Sequence, residues 1–211
     1  MVTKHAQPAD GAGAATRRPR ADALRNRIRL IDAAVAVFAE HGLDVSVAKV
    51  ASRAGVGTAT LFRNFPTKHD LIYAVIEARV NELLEIAQRA QEAEDPAAAF
   101  EQFLFDVAEI QVRDRGFFEA IHRHLIDEPE LLECKLSMTD AVAKILERAQ
   151  EAGAVRKDVV ADDLRFIVSS AVSHDTPDQP DLHRRYLQIV LDGLRPEHAS
   201  RLPVAPPSAP D

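Results

Sequence analysis

The stretch Val47 to Phe65, VAKVASRAGVGTATLFRNF, leaves a chain few ways to fold. Val47, Val50, Ala51 and Ala54 recur at helical spacing, which predicts a short helix with one apolar stripe. Gly55 follows at once, and a residue without Cβ can take the positive φ at which such a helix stops. Leu61, Phe62 and Phe65 then supply a second apolar set, expected to face inward, while Thr58, Thr60, Arg63 and Asn64 are left on the other side. Counted from Val47, the small Ala51 stands fifth, where two helices cross closely, Gly55 ninth, where the chain turns, and Leu61 fifteenth, where the second helix returns to the core. These are the packing demands of a helix-turn-helix, whose second helix can lie in a DNA major groove.

The flanks extend this unit. Asp22 is placed to cap a helix running to His41, with Leu24, Ile28, Ile31, Val35 and Phe38 as its expected buried stripe and Gly42 as its stop. After the motif, Thr67 precedes Asp70 by three residues in the pattern of a capping box, and Leu71, Val75, Val80, Leu83 and Leu84 carry a long helix onward. The expected organisation is an all-α chain. Residues 21–67 form a three-helix head, and residues 68–195 form a larger helical body entered through a connecting helix over 68–93.

The run HGLDVSVAKVASRAGVGTATLFRNFPTKHDLI resembles the amino-terminal domain of TetR-type transcriptional regulators across roughly residues 22 to 80. That resemblance implies a recognition helix bearing Thr58, Thr60, Arg63 and Asn64, and a Lys68 that touches phosphate. Ser46 holds the pattern's Ser/Thr cap, and it joins Arg53 and Phe62 in the expected DNA-facing set. Two residues depart from the pattern. Gly57 stands where the family often caps with Ser, a loss of only a few tenths of a kcal/mol. Phe62 stands where a Tyr commonly offers a hydroxyl to the DNA backbone, so binding is expected to lean on Lys68, Arg53 and Arg63.

Charge is distributed accordingly. The whole chain carries a formal −7, yet residues 1–70 hold 11 Lys/Arg against 6 Asp/Glu and the remainder 15 against 27. Positive charge thus gathers at the head, while an acidic body argues against a general nucleic-acid coat. The single cysteine, Cys134, excludes an internal disulfide and Cys-rich zinc patterns. No apolar run approaches a membrane span and no signal-peptide core is visible, so the cytoplasm is the expected location. Residues 1–20, with Arg17, Arg18 and Arg20 at their end, read as a disordered basic arm able to reach a minor groove, and residues 196–211 as a proline-rich disordered tail.

Between these ends the pattern is helix after helix. Asp95-Pro96 opens one with Phe100, Phe103, Leu104, Val107 and Ile110 inward and Gly116 as its stop; Phe117, Phe118, Ile121 and Leu125 mark a shorter one. Pro129 opens a third with Leu132, Met138, Val142, Ile145 and Leu146 inward, ended by Gly153. Leu164, Ile167, Val168, Ala171 and Val172 belong to a fourth; Leu182, Tyr186, Ile189 and Val190 belong to the last, expected to stop before Gly193. AGAVRKDVVADDL and RRYLQIVLDGLRP also resemble a subgroup of TetR-type carboxyl-terminal domains, with Val160 in place of a capping Thr or Ser. The resemblance implies a homodimer built on the last two long helices, for which Ile167, Ala171, Tyr186, Ile189 and Val190 are the candidates, and hence a pseudo-palindromic double-stranded DNA site.

A sensing body needs a pocket, and Phe103, Val107, Phe118, Ile121, His122, Val142, Leu146, Phe166, Ser170 and His174 are its candidates, although the same residues would serve as plain core. His122 and His124 are two apart on a helix and point to different sides, so no metal site is expected. Ser173-His174-Asp175 holds the residue types of a hydrolase triad, but neighbours in sequence rarely converge and no nucleophile elbow accompanies them. The chain is expected to be no enzyme and to need no cofactor. Its expected role is a DNA-binding regulator, most simply a repressor released by a small molecule. An activator, a ligand-independent regulator, or a helical small-molecule binder without DNA activity remain the alternatives.

Overall fold

The computed structural model describes residues 17–115, 117–118, 129–173, 178–179 and 181–206. Among them run eight α-helices: α1 (Arg17–His41), α2 (Val47–Arg53), α3 (Thr58–Asn64), α4 (Lys68–Glu92), α5 (Pro96–Arg113), α6 (Leu132–Glu151), α7 (Ala161–Val172) and α8 (Leu182–Leu194). Single 3₁₀ turns at Pro129–Leu131 and Pro196–His198 complete the described elements, and no β-strand occurs among them.

The helices close around two apolar cores. In the head, Leu30, Ala34, Val37 and Phe38 of α1 meet Val50 and Ala51 of α2, Leu61 of α3 and Phe65, all at most 1% exposed. In the body, Phe100, Phe103 and Leu104 of α5 pack with Ile145, Leu146 and Ala149 of α6, Leu164 and Val168 of α7, and Leu187 and Leu191 of α8. Helix α4 belongs to both. Leu71 to Ile76 enter the head core, which Phe117 and Leu131 also join, and Leu83, Ile86, Ala87 and Ala90 enter the body core, so one helix joins the two.

Several helix ends form as their sequences dictate. Gly42, Gly55 and Gly153 take φ of 72°, 67° and 74° where α1, α2 and α6 stop. Thr67 and Asp70 make both halves of the capping box: the Asp70 amide donates to Thr67 Oγ1 (3.1 Å) and the Thr67 amide to Asp70 Oδ2 (2.8 Å). Asp95 Oδ1 accepts from the amides of Ala97 and Ala98, with Pro96 at the first helical position. Val160 has no side-chain oxygen, so only the carboxylate half of a box remains at α7: its amide donates to Asp163 Oδ2 (2.9 Å).

Other expectations are corrected. Helix α1 begins at Arg17, inside the expected arm, and Asp22 pairs with Arg25 instead of capping. Leu24 and Ile28 are 60% and 50% exposed, because the face that packs is rotated toward Leu30, Ala33, Ala34 and Val37, where alanines allow close helix approach. Leu132 is exposed. On α8 the inward face is His183, Leu187, Leu191 and Leu194, leaving Tyr186 and Ile189 outside, and Gly193 lies within the helix. The carboxyl-terminal segment is tied down at its start: Arg156 donates from its amide to Leu194 O (2.9 Å) and from its guanidinium to Ser200 O. The expected stop at Gly116, the stripe residues Ile121 and Leu125, His124, Asp175 and most of the basic arm lie outside the described residues.

Candidate nucleic-acid interface and effector cavity

The recognition surface is built from two very short helices, and seven residues cannot hold a helix in place by themselves. Burial of Leu61 and Phe65 anchors α3, each contributing about 1.5–3 kcal/mol. Two arginines of α1 supply the rest. Arg29 Nη2 donates to Ala54 O (2.9 Å) at the end of α2, and Arg27 Nη1 donates to Asn64 O (3.2 Å) at the end of α3. The Arg27 guanidinium also lies over the Phe65 ring, 4.4 Å from its centroid. Both arginines therefore cap carbonyl ends of the motif and fix its helices on α1. Nothing local in the sequence distinguishes them from phosphate-binding cations; their partners are 25 and 37 residues away.

Thr58, Phe62 and Arg63 are exposed on α3, and Thr60 Oγ1 accepts from Arg63 Nη2 (2.9 Å). Phe62 is 46% exposed, against the expectation that it packs inward: Leu61 and Phe65 sit four residues apart on one stripe, and Phe62 is about 100° around the helix from it. Asn64 is half-buried and its Nδ2 donates to Thr60 O (2.8 Å), so its amide is turned onto its own helix. Ser46 caps α2 with an exposed hydroxyl that makes no cap hydrogen bond. Arg53 is held by Glu40 of α1 at 2.6 Å, an exposed pair of small energetic weight. Lys68 is half-buried at the first position of α4, and Lys49, outside the expected DNA-facing set, is an exposed cation on α2. Beside Lys68, the hydroxyl and amide of Thr67 hold the Asp70 carboxyl below the usual carboxylate range.

In the body, a cavity of about 620 Å³ lies between α5, α6 and α7 and reaches Leu83 of α4. Phe103, Val107, Phe118 and Val142 line it as expected, with Met138, Leu104, Leu164 and Val168. Leu146 does not; it is 4% exposed in the packed core. Phe166 and Ser170 do not either, because α7 turns its Ala161, Leu164, Arg165, Val168 and Val172 side to the cavity and the Phe166 and Ser170 side outward. Ile121, His122 and His174 lie outside the described residues. The polar lining groups are Gln111, Arg115, Thr139, Asp162, Arg165, Ser169 and Ser173, none of them among the expected pocket residues.

Of the candidates for a subunit contact, Tyr186 and Ile189 expose 36% and 57% of their surface and Ile167 and Val190 are half-buried; Phe166, expected in the pocket instead, is 53% exposed. Ala171 is 5% exposed inside the body core and is not on that face. Cys134 is partly buried; desolvation, then Glu77 and Glu133, push its thiol pKa up, away from the reactive thiolate. No group of His, Cys, Asp and Glu able to hold a metal occurs among the described residues, and none of their helices is long and apolar enough to cross a membrane.

A helix-turn-helix clamped to a supporting helix, and a rod leading from it to a cavity-bearing helical body, define a transcription regulator of the helix-turn-helix class. Comparison with known proteins specifies the family. Residues 30–75 match the profile described as "Bacterial regulatory proteins, tetR family", and residues 95–196 match that of "Transcriptional regulator SbtR-like, C-terminal domain". A TetR transcription regulatory protein from Mycobacterium vanbaalenii is 33% identical, with 84% of this chain and 99% of that one aligned at a TM-score of 0.65. The regulator SCO0520 from Streptomyces coelicolor is 30% identical over 81% and 98% of the two chains, also at 0.65. The chain belongs to the TetR family. A γ-butyrolactone receptor, 20% identical over 82% of this chain and 90% of that one with a TM-score of 0.66, shares the fold. An HTH-type transcriptional regulator of Staphylococcus aureus (strain bovine RF122 / ET3-1) is 38% identical over 63 residues, so the match spans 29% of this chain and about a third (34%) of that relative's length.

Proposed function

We propose that the protein is a homodimeric repressor that reads a pseudo-palindromic operator through Thr58, Phe62 and Arg63 of α3, and that a small molecule in the body cavity releases it. The observation that carries this reading is the course of α4: Leu71 to Ile76 lie in the head core, and Leu83 lines the cavity about two turns further on. An effector that prefers one setting of the body helices biases the tilt of this rod and with it the separation of the two heads, which is the differential affinity such release requires.

Membership in the TetR family and the ligand-receptor name of one fold neighbour support the reading. Ser46, Lys49 and Lys68 surround α3 as contacts to phosphate, with Arg53 available once it leaves Glu40. The domain organisation that fits is a head over residues 21–67, whose core borrows the first turns of α4, and a body over 68–195. Phe166, Tyr186 and Ile189 form the face that a second copy covers. Selection of bound sequences from a random DNA pool by the full chain, at a stated moderate salt, tests the function. An enriched pseudo-palindrome with half-sites about one helical turn apart (~34–36 Å) is expected; no enrichment by a folded sample overturns it.

A further inference from the structure

Helix α3 offers DNA a narrow choice of chemistry. Phe62 is 46% exposed and is the one large apolar side chain that α2 and α3 leave uncovered. Thr58 stands four residues before it and Ala59 three, both exposed, so two methyl-bearing side chains and the ring lie together along one flank of the helix. Arg63 stands four residues after Ala59 and is exposed as well. Its Nη2 donates to Thr60 Oγ1 (2.9 Å), one turn back, which orients the guanidinium and leaves further N–H groups for an outside acceptor. Asn64, the only side-chain amide on α3, is turned onto Thr60 O (2.8 Å), and the helix carries no carboxylate.

Base edges in the major groove differ in what they present: guanine two acceptors, adenine an acceptor beside a donor, cytosine a donor, and thymine an acceptor with its C5 methyl group. Adenine is read by a free Asn or Gln and cytosine by a carboxylate, and α3 holds out neither. Threonine hydroxyls serve either kind of edge and add no choice. What remains is a guanidinium suited to guanine and, beside it, an apolar flank suited to thymine. We propose that Phe62, with Ala59, reads a thymine through its C5 methyl group, within about two base pairs of a guanine held by Arg63; successive Cα atoms lie about 3.8 Å apart and successive base pairs about 3.4 Å. The inference rests on α3 entering the major groove, as proposed above. Phe62 has no hydroxyl to give a phosphate, so its contribution to the complex is burial of the ring against the methyl group.

Selection of bound sequences from a random DNA pool by the full chain and by Phe62→Ala, at one moderate salt concentration, tests this. The wild type is expected to enrich half-sites in which a thymine lies within about two base pairs of a guanine, and Phe62→Ala to keep the guanine and lose the thymine. Deoxyuridine then replaces that thymine in the enriched sequence, removing the methyl group and keeping the base pair, with affinities read by fluorescence anisotropy. Uracil should weaken the wild type about fourfold, as expected for one buried methyl-sized group, and Phe62→Ala less than about twofold. Should that variant fold poorly, the wild type still decides: 5-iododeoxyuridine at the same position, cross-linked by light, should leave its adduct on Phe62 when the peptides are mapped by mass spectrometry. A wild type indifferent to uracil, an equal loss in Phe62→Ala, an adduct on another residue, or an enriched half-site without a thymine near its guanine overturns the proposal and leaves α3 as the DNA-reading helix. No enrichment by a folded sample removes that reading and this inference together.

Discussion

Arg27 and Arg29 show how a single residue type divides between two tasks in one small head. Both point inward to helix carbonyls, whereas Arg63 and Lys49 face out, so the count of cations near the motif overstates what DNA can meet. Arg27→Ala removes a cap and the cation–π contact with Phe65, and should cost about 1–2 kcal/mol in denaturant unfolding while weakening DNA binding through misplacement of α3. Because no phosphate contact is lost, the slope of log affinity against log salt should stay unchanged, whereas Lys49→Ala or Lys68→Ala should flatten it. The two glycines of the turn separate equally well. A Cβ on Gly57 meets nothing within 4 Å, and φ there is −74°, so Gly57→Ser should gain a few tenths of a kcal/mol as a cap. Gly55 has φ +67° and would bring its Cβ to 3.3 Å from Arg29 Nη2, so Gly55→Ala should destabilise by about 1 kcal/mol and disturb the clamp.

At the scale of elements, the Thr67–Asp70 box gives α4 a defined start immediately after the recognition helix. Its hydrogen bonds hold the Asp70 pKa below the unfolded value, so the box stabilises the fold above that unfolded value, near 3.9, and loses its contribution as pH falls through the depressed one. Asp70→Asn should therefore lower the thermal midpoint at neutral pH and flatten its decline in acid, measured by circular dichroism across that range. This box, the Asp95-Pro96 start and the glycine stops were legible in the sequence because each is decided within a few residues. The face a helix turns inward was less so, since it depends on neighbours distant in the chain. On α1 the large Leu24 and Ile28 outweighed Ala33 and Ala34 in the sequence pattern, yet close approach needed the alanines. On α7 the apolar residues Phe166 and Val168 lie on different sides, and only the position of α5 and α6 decides which side faces the cavity. For the same reason Phe103, Val107 and Val142 were readable as pocket residues, whereas Gln111 and Arg115 were not.

On the scale of the molecule, the stretch of α4 between the two cores is held by ions. Arg79 of α4 pairs with Asp114 just past α5 (2.8 Å) and with Glu82 (2.6 Å), and Arg113 bridges Glu82 and Asp114. The Asp114 side chain is 6% exposed, so Asp114→Asn should cost about 2 kcal/mol by leaving Arg79 with a weakened partner where rod and body meet. If this junction transmits the state of the cavity, the same variant should also reduce the effect of a bound effector on DNA affinity. All of this presupposes that the outward face of α3 reads DNA. The most direct test is the affinity of the wild-type chain and of Arg63→Glu for one selected DNA sequence, measured side by side by fluorescence anisotropy at a single moderate salt concentration. Loss of about 1–3 kcal/mol of binding free energy or more in the variant, at unchanged thermal stability, is the predicted result. Equal affinities for the two proteins would contradict it and return the cavity-bearing body to the centre of the function.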